Sequence, residues 1–427
     1  MKAAFYTLGC KVNQAESEYM AELLQRAGFE IVDPNEDADY YIINSCTVTA
    51  TADQKTRQSV RRFKRKHPQS TVILTGCMPQ AFPEDAKKLE QADIVLGNKN
   101  DNDILALINR HTAEQNRIIS LSEHETGEKF AKCSVSSFGG RVRAFVKIED
   151  GCDRFCSYCI IPKSRGRVRS KPLEDLIKEV SELAQNGIKE IVLVGINLSA
   201  YGKGTDLNIA DAVEACAEIK GISRIRLGSL EPDHITDSII NRLAKVDKFC
   251  PQFHISLQSG CNKTLKSMNR HYTAEEYREL CAKLRNAFKD CSLTTDVMVG
   301  FNDESESDFK ESLEFVKRTG FEKVHVFPYS ERKGTAASKR GDSVSRQKKE
   351  KRAAIMISET EKVRLEYLKS YIGKKVNVLV EGRANEEYLR GYTKNYVPVL
   401  LKSNKDLTGI ETDCVIRSVE NGECIAN

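Results

Sequence analysis

Three cysteines on one short stretch, Cys152, Cys156 and Cys159, stand in the spacing C-x3-C-x2-C within Gly151-Cys152-Asp153-Arg154-Phe155-Cys156-Ser157-Tyr158-Cys159-Ile160-Ile161-Pro162. A closed structural zinc site takes four ligands and a closed 4Fe-4S cluster takes four thiolates. Three close thiolates therefore leave a metal coordination position open, where a substrate can bind. A zinc knuckle completed by a distant ligand and a simple electron-carrying cluster are the competing readings, and neither explains the large strand-helix domain that follows the loop. Three further thiols, Cys10, Cys46 and Cys77, lie far apart in the chain, yet each falls just past a strand-like apolar run. That places all three at one edge of a parallel sheet, where open α/β sheets build their sites. Convergence on a metal and burial as small hydrophobes both fit this placement.

The elements that must carry these thiols follow from the apolar pattern. Apolar runs at residues 3–9, 40–45, 71–76 and 94–97 alternate with polar helical stretches such as 15–27. This predicts an N-terminal open parallel α/β sheet domain over residues 1–115. Residues 116–141 are polar, lack periodicity and end in Gly139-Gly140, which reads as a linker. From 142 to 370, runs at 144–149, 190–195, 224–230, 252–257, 293–299 and 323–327 alternate with helices. The expectation is a partial (β/α)6 barrel with its site at the carboxyl ends of the strands. One of its helices presents Leu173, Leu176, Ile177, Val180, Leu183 and Ala184 on one face and stops at Gly187. A long charged helix spans 345–370. The tail, 371–427, has short strand runs at 376–380 and 397–401 and predicts a small all-β domain, either an RNA-binding module or a structural cap.

At the mouth of the predicted barrel several polar residues interrupt apolar strands: Asn197 after the second strand, Ser229 and Glu231 after the third, Gln258 after the fourth and Asp296 on the fifth. Unpaired burial of such groups is costly, so each is satisfied by a ligand or by a neighbour. His254 reads as a hydrogen-bonded core residue rather than an acid-base group. Tyr158, Phe155 and Arg167 lie beside the cysteine loop and either shape its ligand environment or shield it from water.

A chain of 427 residues with 30% charged and 40% hydrophobic residues is globular and long enough for two or three domains. No apolar run approaches the ~20 residues needed to cross a bilayer, and the amino-terminal apolar stretch is too short for a secretory signal. We expect a cytoplasmic protein without membrane attachment, in which 14 cysteines are not a disulfide framework. The net charge of +5 is mild, but basic residues bunch at 57–66 and 163–171. The second run, abutting the cysteine loop, reads as a polyanion contact; the first fits that role or an ordinary solvated helix face.

The C-x3-C-x2-C loop, with an aromatic residue before its last cysteine, resembles the signature of the radical S-adenosylmethionine (SAM) superfamily. The resemblance implies that Cys152, Cys156 and Cys159 hold a 4Fe-4S cluster whose fourth iron binds SAM, with Tyr158, Asn197, Ser229, Glu231, Gln258 and Asp296 as candidate SAM contacts. Across the whole chain the order of motifs resembles the radical SAM methylthiotransferases, on Thr7-Leu8-Gly9-Cys10-Lys11-Val12-Asn13, Asn44-Ser45-Cys46-Thr47-Val48 and Thr75-Gly76-Cys77. By that likeness Cys10, Cys46 and Cys77 hold a second 4Fe-4S cluster that supplies or carries sulfur, and all six cysteines are catalytic. Residues 371–427 resemble the TRAM module and would grip a tRNA anticodon stem-loop. One SAM would provide the radical and another the methyl group. The family has branches acting on threonylcarbamoyladenosine in tRNA, on isopentenyladenosine in tRNA and on a ribosomal-protein aspartate. The Lys11-Val12 pair and the run Gly195-Ile196-Asn197-Leu198-Ser199-Ala200-Tyr201-Gly202 resemble the threonylcarbamoyladenosine branch most. An electron donor and a sulfur source are implied, neither identified by the sequence. The reading from another class is a non-catalytic iron-sulfur RNA-binding protein.

Overall fold

The computed structural model describes residues 1–131, 133–139 and 141–427, so Gly140 of the expected linker lies outside the described residues. The strands of the first sheet are β1 (Lys2–Thr7), β2 (Glu30–Val32), β3 (Tyr40–Ser45), β4 (Thr71–Gly76), β5 (Ile94–Leu96) and β6 (Ile118–Ser120), in the order β2-β1-β3-β4-β5-β6. The central strands β3, β4 and β5 are buried on both faces, as a parallel sheet covered by helices requires. Along β3, Tyr40 and Ile42 pack on one face with α1 (Lys11–Arg26), while Tyr41 and Ile43 pack on the other with α2 (Ala50–Lys66). Helices α3 (Cys77–Ala81), α4 (Pro83–Lys87) and α5 (Ile104–Glu114) complete the layers. Strands β2 and β6 were not anticipated. At three residues each they are too short to show a period, and β6 pairs with β5 from inside the stretch read as a linker. Val135 and Phe138, from the same stretch, are buried in the core of the next domain.

That domain is a half-open barrel. Strands β7 (Arg143–Lys147), β10 (Glu190–Val194) and β11 (Arg224–Leu227) form one parallel sheet, and β12 (Ser229–Leu230), β13 (Gln252–Ile255), β14 (Ser292–Val299) and β15 (Lys323–Pro328) form the next. The run expected as one strand over 224–230 breaks at Gly228, whose amide turns back to donate to the Leu193 carbonyl at 2.8 Å. A short antiparallel pair, β8 (Glu149–Asp150) with β9 (Arg169–Ser170), clamps both ends of the cysteine loop. The clamp needs Gly151 at φ +86, since a Cβ there would collide with the Arg167 carbonyl group. In helix Leu173–Gln185, Leu176, Val180 and Leu183 are buried as expected, but Ile177 is 38% exposed at the edge of the apolar stripe.

The two remaining parts close this barrel from opposite directions. Alternate residues of β7 and β10 face inward, and there Phe145, Val192 and Val194 pack against Val12 and Ala15 of α1. The long helix Arg346–Lys369 leads into a closed five-stranded barrel, β16 (Lys375–Arg383), β17 (Tyr388–Thr393), β18 (Pro398–Lys402), β20 (Glu423–Ala426) and β19 (Glu411–Glu420). It sits under the amino ends of β7, β10 and β11. Arg224 donates to the Tyr392 carbonyl at 2.7 Å and Asn377 Oδ1 at 2.9 Å, Arg226 donates to the Lys394 carbonyl at 2.9 Å, and Arg143 pairs with Glu381 at 3.1 Å.

A buried ion cluster joins the sheet domain to the barrel. Glu16 of α1 accepts from Lys147 of β7 at 2.6 Å and from Arg165 Nη2 at 2.9 Å, and Lys147 also meets Asp150 at 2.7 Å. Burial alone would raise the Glu16 carboxyl, but Arg165 and Lys147 outweigh it and hold Glu16 below the ordinary carboxylate range. A depressed folded-state value stabilises the fold above the unfolded value of ~4.3 and loses that contribution as pH falls through the folded one. In metal-free protein, Glu16→Gln should therefore lower the melting temperature at pH 7, with the gap to the unmodified chain narrowing below pH ~4. A gap independent of pH in a melting series would refute the linkage. Where Cys77 enters α3, Gly76 has φ +93 and a Cβ there would lie 2.5 Å from the Ser45 carbonyl oxygen. Gly76→Ala should cost about 2–4 kcal/mol, read as early melting of the sheet domain.

Candidate active site at the meeting of two cysteine triads

The three dispersed thiols come together because their strands are neighbours. Strands β1, β3 and β4 are adjacent in the sheet; Cys10 caps α1 just after β1, Cys46 follows β3 directly, and Cys77 opens α3 after β4. Asn13, buried one turn into α1, ties the set together. Its Oδ1 accepts from Cys10 Sγ at 3.3 Å, and its Nδ2 donates at 3.0 Å both to Asn44 Oδ1 and to the carbonyl of Ser45, which precedes Cys46. Gly9 lets the first and second loops approach, since a Cβ there would sit 2.9 Å from Cys46 Cβ. Burial pushes the Cys77 thiol up to about 12 despite Arg165 beside it, so a bound metal is what would ionise it.

Cys152, Cys156 and Cys159 lie half-buried on the clamped loop at the carboxyl end of the barrel. Burial raises Cys152 to about 12 and Cys159 higher still. Arg270 donates to Cys156 Sγ at 3.3 Å, to the Ser256 carbonyl at 3.2 Å and to the Glu231 carboxylate. Phe155 takes φ +50 and stands 46% exposed beneath the guanidinium of Arg167, a cap over the loop. Among the described residues no three His, Cys, Asp or Glu side chains close around a point that one ion could fill. Thiolates of a four-iron cluster sit on separate irons, so they need not converge on one point.

The residues expected at the barrel mouth divide into two groups. Asn197, Ser229, Glu231 and Gln258 lie at or just beyond the strand ends, and Tyr158 packs on the loop edge-on to Phe301, with ring centroids 6.1 Å apart. Asp296 sits deeper, 3.3 Å from His254 Nε2, while His254 Nδ1 is 3.0 Å from Thr294 Oγ1; His254 is thus the hydrogen-bonded residue expected. The Asn197 backbone amide donates to Glu149 Oε2 at 2.6 Å, and among the described residues Asn197 Oδ1 and Glu149 Oε1 are buried without partners. Gly195 keeps this corner open, because a Cβ there would lie 2.7 Å from Glu149 Oε2. Two orphaned acceptors beside an open-ended cysteine loop fit a ligand that carries an ammonium group, as SAM does.

The basic run 163–171 is not the exposed polyanion contact expected of it. Arg165 is buried against Glu16 of the sheet domain, while Arg169 and Lys171 are buried against Asp150 and Glu179 of the barrel itself. Only Lys163 and Arg167 of its cations reach solvent. In the run 57–66, by contrast, Arg61, Arg62, Arg65 and Lys66 form an exposed ridge on α2. Sequence reasoning missed the role of Arg165. Fully buried at the end of α6 (Ile161–Arg165), it donates from Nε to Cys77 Sγ at 3.2 Å and from Nη2 to Asn13 Oδ1 at 3.4 Å. Glu149 and Arg270 were missed too. Neither belongs to a local motif, and only a barrel register would have brought them to the mouth.

The radical SAM superfamily model matches residues 146–316, and a model described as uncharacterized protein family UPF0004 matches residues 2–97. The threonylcarbamoyladenosine tRNA methylthiotransferase of Bacillus subtilis is 38% identical, over 95% of this chain and 91% of that protein. Its counterpart in Thermotoga maritima is 39% identical, over 92% and 89%. A tRNA-2-methylthio-N(6)-dimethylallyladenosine synthase of Clostridium novyi is 36% identical, over 91% and 88%. Among solved structures, the radical SAM methyltransferase TsrM of Kitasatospora setae shares the fold, with a TM-score of 0.56 and 11% identity over 77% of this chain and 74% of that one. Sequence identity of this order, sustained over more than nine-tenths of the residues, establishes that the chain belongs to the radical SAM methylthiotransferase family and is an enzyme.

Proposed function

We propose that this enzyme replaces the C2 hydrogen of threonylcarbamoyladenosine, next to the anticodon of tRNA, with a methylthio group. The observation that carries the reading is the full-length similarity to relatives named for that base, supported by the Arg165 contact that ties the cysteine loop to Cys77. Relatives named for dimethylallyladenosine are nearly as similar, so the choice of base needs a physical argument. The two substituents differ in charge: the threonyl group carries a carboxylate, whereas the dimethylallyl group is apolar. Lys11, next to Cys10 on α1, faces the cations Arg143 and Arg226 and the carboxylate Glu190 of the barrel wall, with Glu381 of the carboxyl-terminal barrel paired to Arg143. Among the described residues Lys11 is the one of these cations that no carboxylate pairs with, and an excess of positive charge there favours the anionic substituent.

In this reading Cys152, Cys156 and Cys159 hold one 4Fe-4S cluster, and Cys10, Cys46 and Cys77 hold a second. When bound, the first cluster would supply the electron that cleaves one SAM reductively to a 5′-deoxyadenosyl radical, and a second SAM would supply the methyl group. The protein's part is to bind, orient and exclude water. Glu149 and Asn197 receive the ammonium group, Tyr158, Ser229 and Gln258 line the adenosine, and Glu231 fixes Arg270 against Cys156. Asp296 holds His254 on the inner wall. The carboxyl-terminal β-barrel, of TRAM type, and the α2 ridge contact phosphates of the anticodon stem-loop. An electron donor and a sulfur source act from outside, in the cytoplasm.

Mass spectrometry of tRNA nucleosides from cells lacking this chain tests the assignment. Methylthiolated threonylcarbamoyladenosine should vanish while its precursor accumulates; loss of the dimethylallyl product, or of a ribosomal-protein modification, would point to another branch. No change in any of them would leave a non-catalytic iron-sulfur RNA-binding role. Anaerobic reconstitution should load about eight irons and eight sulfides per chain. Cys156→Ala should abolish reductive SAM cleavage. A folded Cys46→Ala variant should still cleave SAM and yet form no methylthiolated nucleoside; product from it would make the N-terminal triad structural. Lys11→Ala should raise KM for the threonylcarbamoyl substrate about tenfold, the ~1.4 kcal/mol of one charge-assisted contact, with a smaller effect on a dimethylallyl substrate.

A further inference from the structure

The cysteine loop and the N-terminal triad belong to different domains, yet one side chain belongs to both sites. Helix α6 begins two residues after Cys159 and ends on Arg165 after five residues, so the guanidinium is carried rigidly by the SAM-side loop. Its Nε is aimed at Cys77 Sγ at 3.2 Å. Through Asn13 it reaches the other two ligands as well, since that amide accepts from Cys10 and donates to the Ser45 carbonyl preceding Cys46. The guanidinium cannot swing away, because Glu16 and Asn13 engage its Nη atoms and Asp150 lies 3.7 Å from Nη1.

We propose that Arg165 is the positioning residue that sets the reduction potential of the N-terminal cluster, by donating to the Cys77 thiolate from the loop that holds the radical source. The proposal rests on the reading that Cys10, Cys46 and Cys77 carry a four-iron cluster. A hydrogen bond to a cluster sulfur and a fixed positive charge both stabilise the more electron-rich state, so both raise the potential. Here they act at a buried contact, Arg165 and Cys77 both being hidden from water, where screening is weak. Arginine suits the task because it stays charged and offers Nε and Nη donors in a fixed fork, so it can pair with Glu16 and still point one N–H at sulfur. As a counter-ion for Glu16 alone, Arg165 would use only its Nη atoms, and Lys147 already serves that carboxylate at 2.6 Å.

The test is an EPR-monitored redox titration of the full-length chain in a Cys152→Ala, Cys156→Ala, Cys159→Ala background, which leaves the N-terminal cluster as the sole signal. Arg165→Gln should move its midpoint to a more negative value. Arg165→Lys, which keeps the charge and loses the Nε donor, should fall between. Resonance Raman bands of the iron-thiolate bonds should shift upward in both, as sulfur freed of a hydrogen bond binds iron more strongly. In the complementary background, with Cys10, Cys46 and Cys77 all changed to Ala, Arg165→Lys should leave the potential of the SAM-side cluster unmoved. If Arg165→Gln does not retain iron, the Arg165→Lys potential and Raman shift decide alone. Four irons rather than about eight in the unmodified chain would remove the premise. About eight irons, with an Arg165→Lys midpoint and Raman bands identical to those of the unmodified cluster, would overturn the proposal itself.

Discussion

The geometry of this enzyme depends on a small set of charges buried where three segments meet: Glu16 on the sheet domain, Lys147 on the first barrel strand and Arg165 beyond the cysteine loop. Removing such groups from water costs several kcal/mol per ion, and their mutual attraction repays this only when the geometry is satisfied on all sides. A buried cluster of this kind is a poor source of stability and a good source of register. The sheet domain has one docking position in which Glu16 meets both cations, and in that position Asn13, one turn earlier on the same helix, stands between Cys10 and Arg165. Positioning of the two triads and satisfaction of the buried charges are therefore one condition.

The half-open barrel gives this condition its purpose. A complete barrel would fill its interior with its own side chains, whereas six strand positions leave one side uncovered and an inner face available. Helix α1 covers β7 and β10 with Val12 and Ala15, and the carboxyl-terminal barrel closes the floor, with Tyr392 stacked on Tyr396 at 4.6 Å under Arg143 and Arg226. The inner wall meets residues of three domains, with Arg143 and Arg226 at the end nearest the carboxyl-terminal barrel. The β-barrel is thus no loose appendage: Arg224, wholly buried, depends on its carbonyls for partners.

Much of the fold could be read from the chain because strands buried on both faces announce themselves as apolar runs, and the thiols fell just past them. The spacing of Cys152, Cys156 and Cys159 was local and survived intact. What could not be read was burial of charge. Nothing in Lys163 to Lys171 distinguishes a solvated basic run from one folded under another domain, since Arg165 is hidden by contacts with residues 88 and 149 positions away. The basic run read as a polyanion contact, and topology buried three of its five cations. Ile177 errs the other way, an apolar residue at the rim of a stripe that the neighbouring helices do not cover. Strand β6 was hidden by its length and its polar surroundings.

The cysteines show how place on the fold, more than residue type, settles chemistry. Eight of the 14, Cys133, Cys216, Cys250, Cys261, Cys281, Cys291, Cys414 and Cys424, are buried and join neither triad. Burial pushes their thiols upward, to about 12 for Cys133, Cys216, Cys281 and Cys291 and about 11 for Cys250, Cys414 and Cys424. A thiol held protonated in an apolar core is a small hydrophobe, inert to metal and oxidant alike. Cys77 is as deeply buried and as strongly raised, so burial alone does not separate it from the inert set. The difference is a guanidinium at hydrogen-bond distance and two neighbouring thiols at the same sheet edge. Those partners exist because Cys77 opens a helix at a strand end, and because the loop of another domain delivers Arg165 to that end.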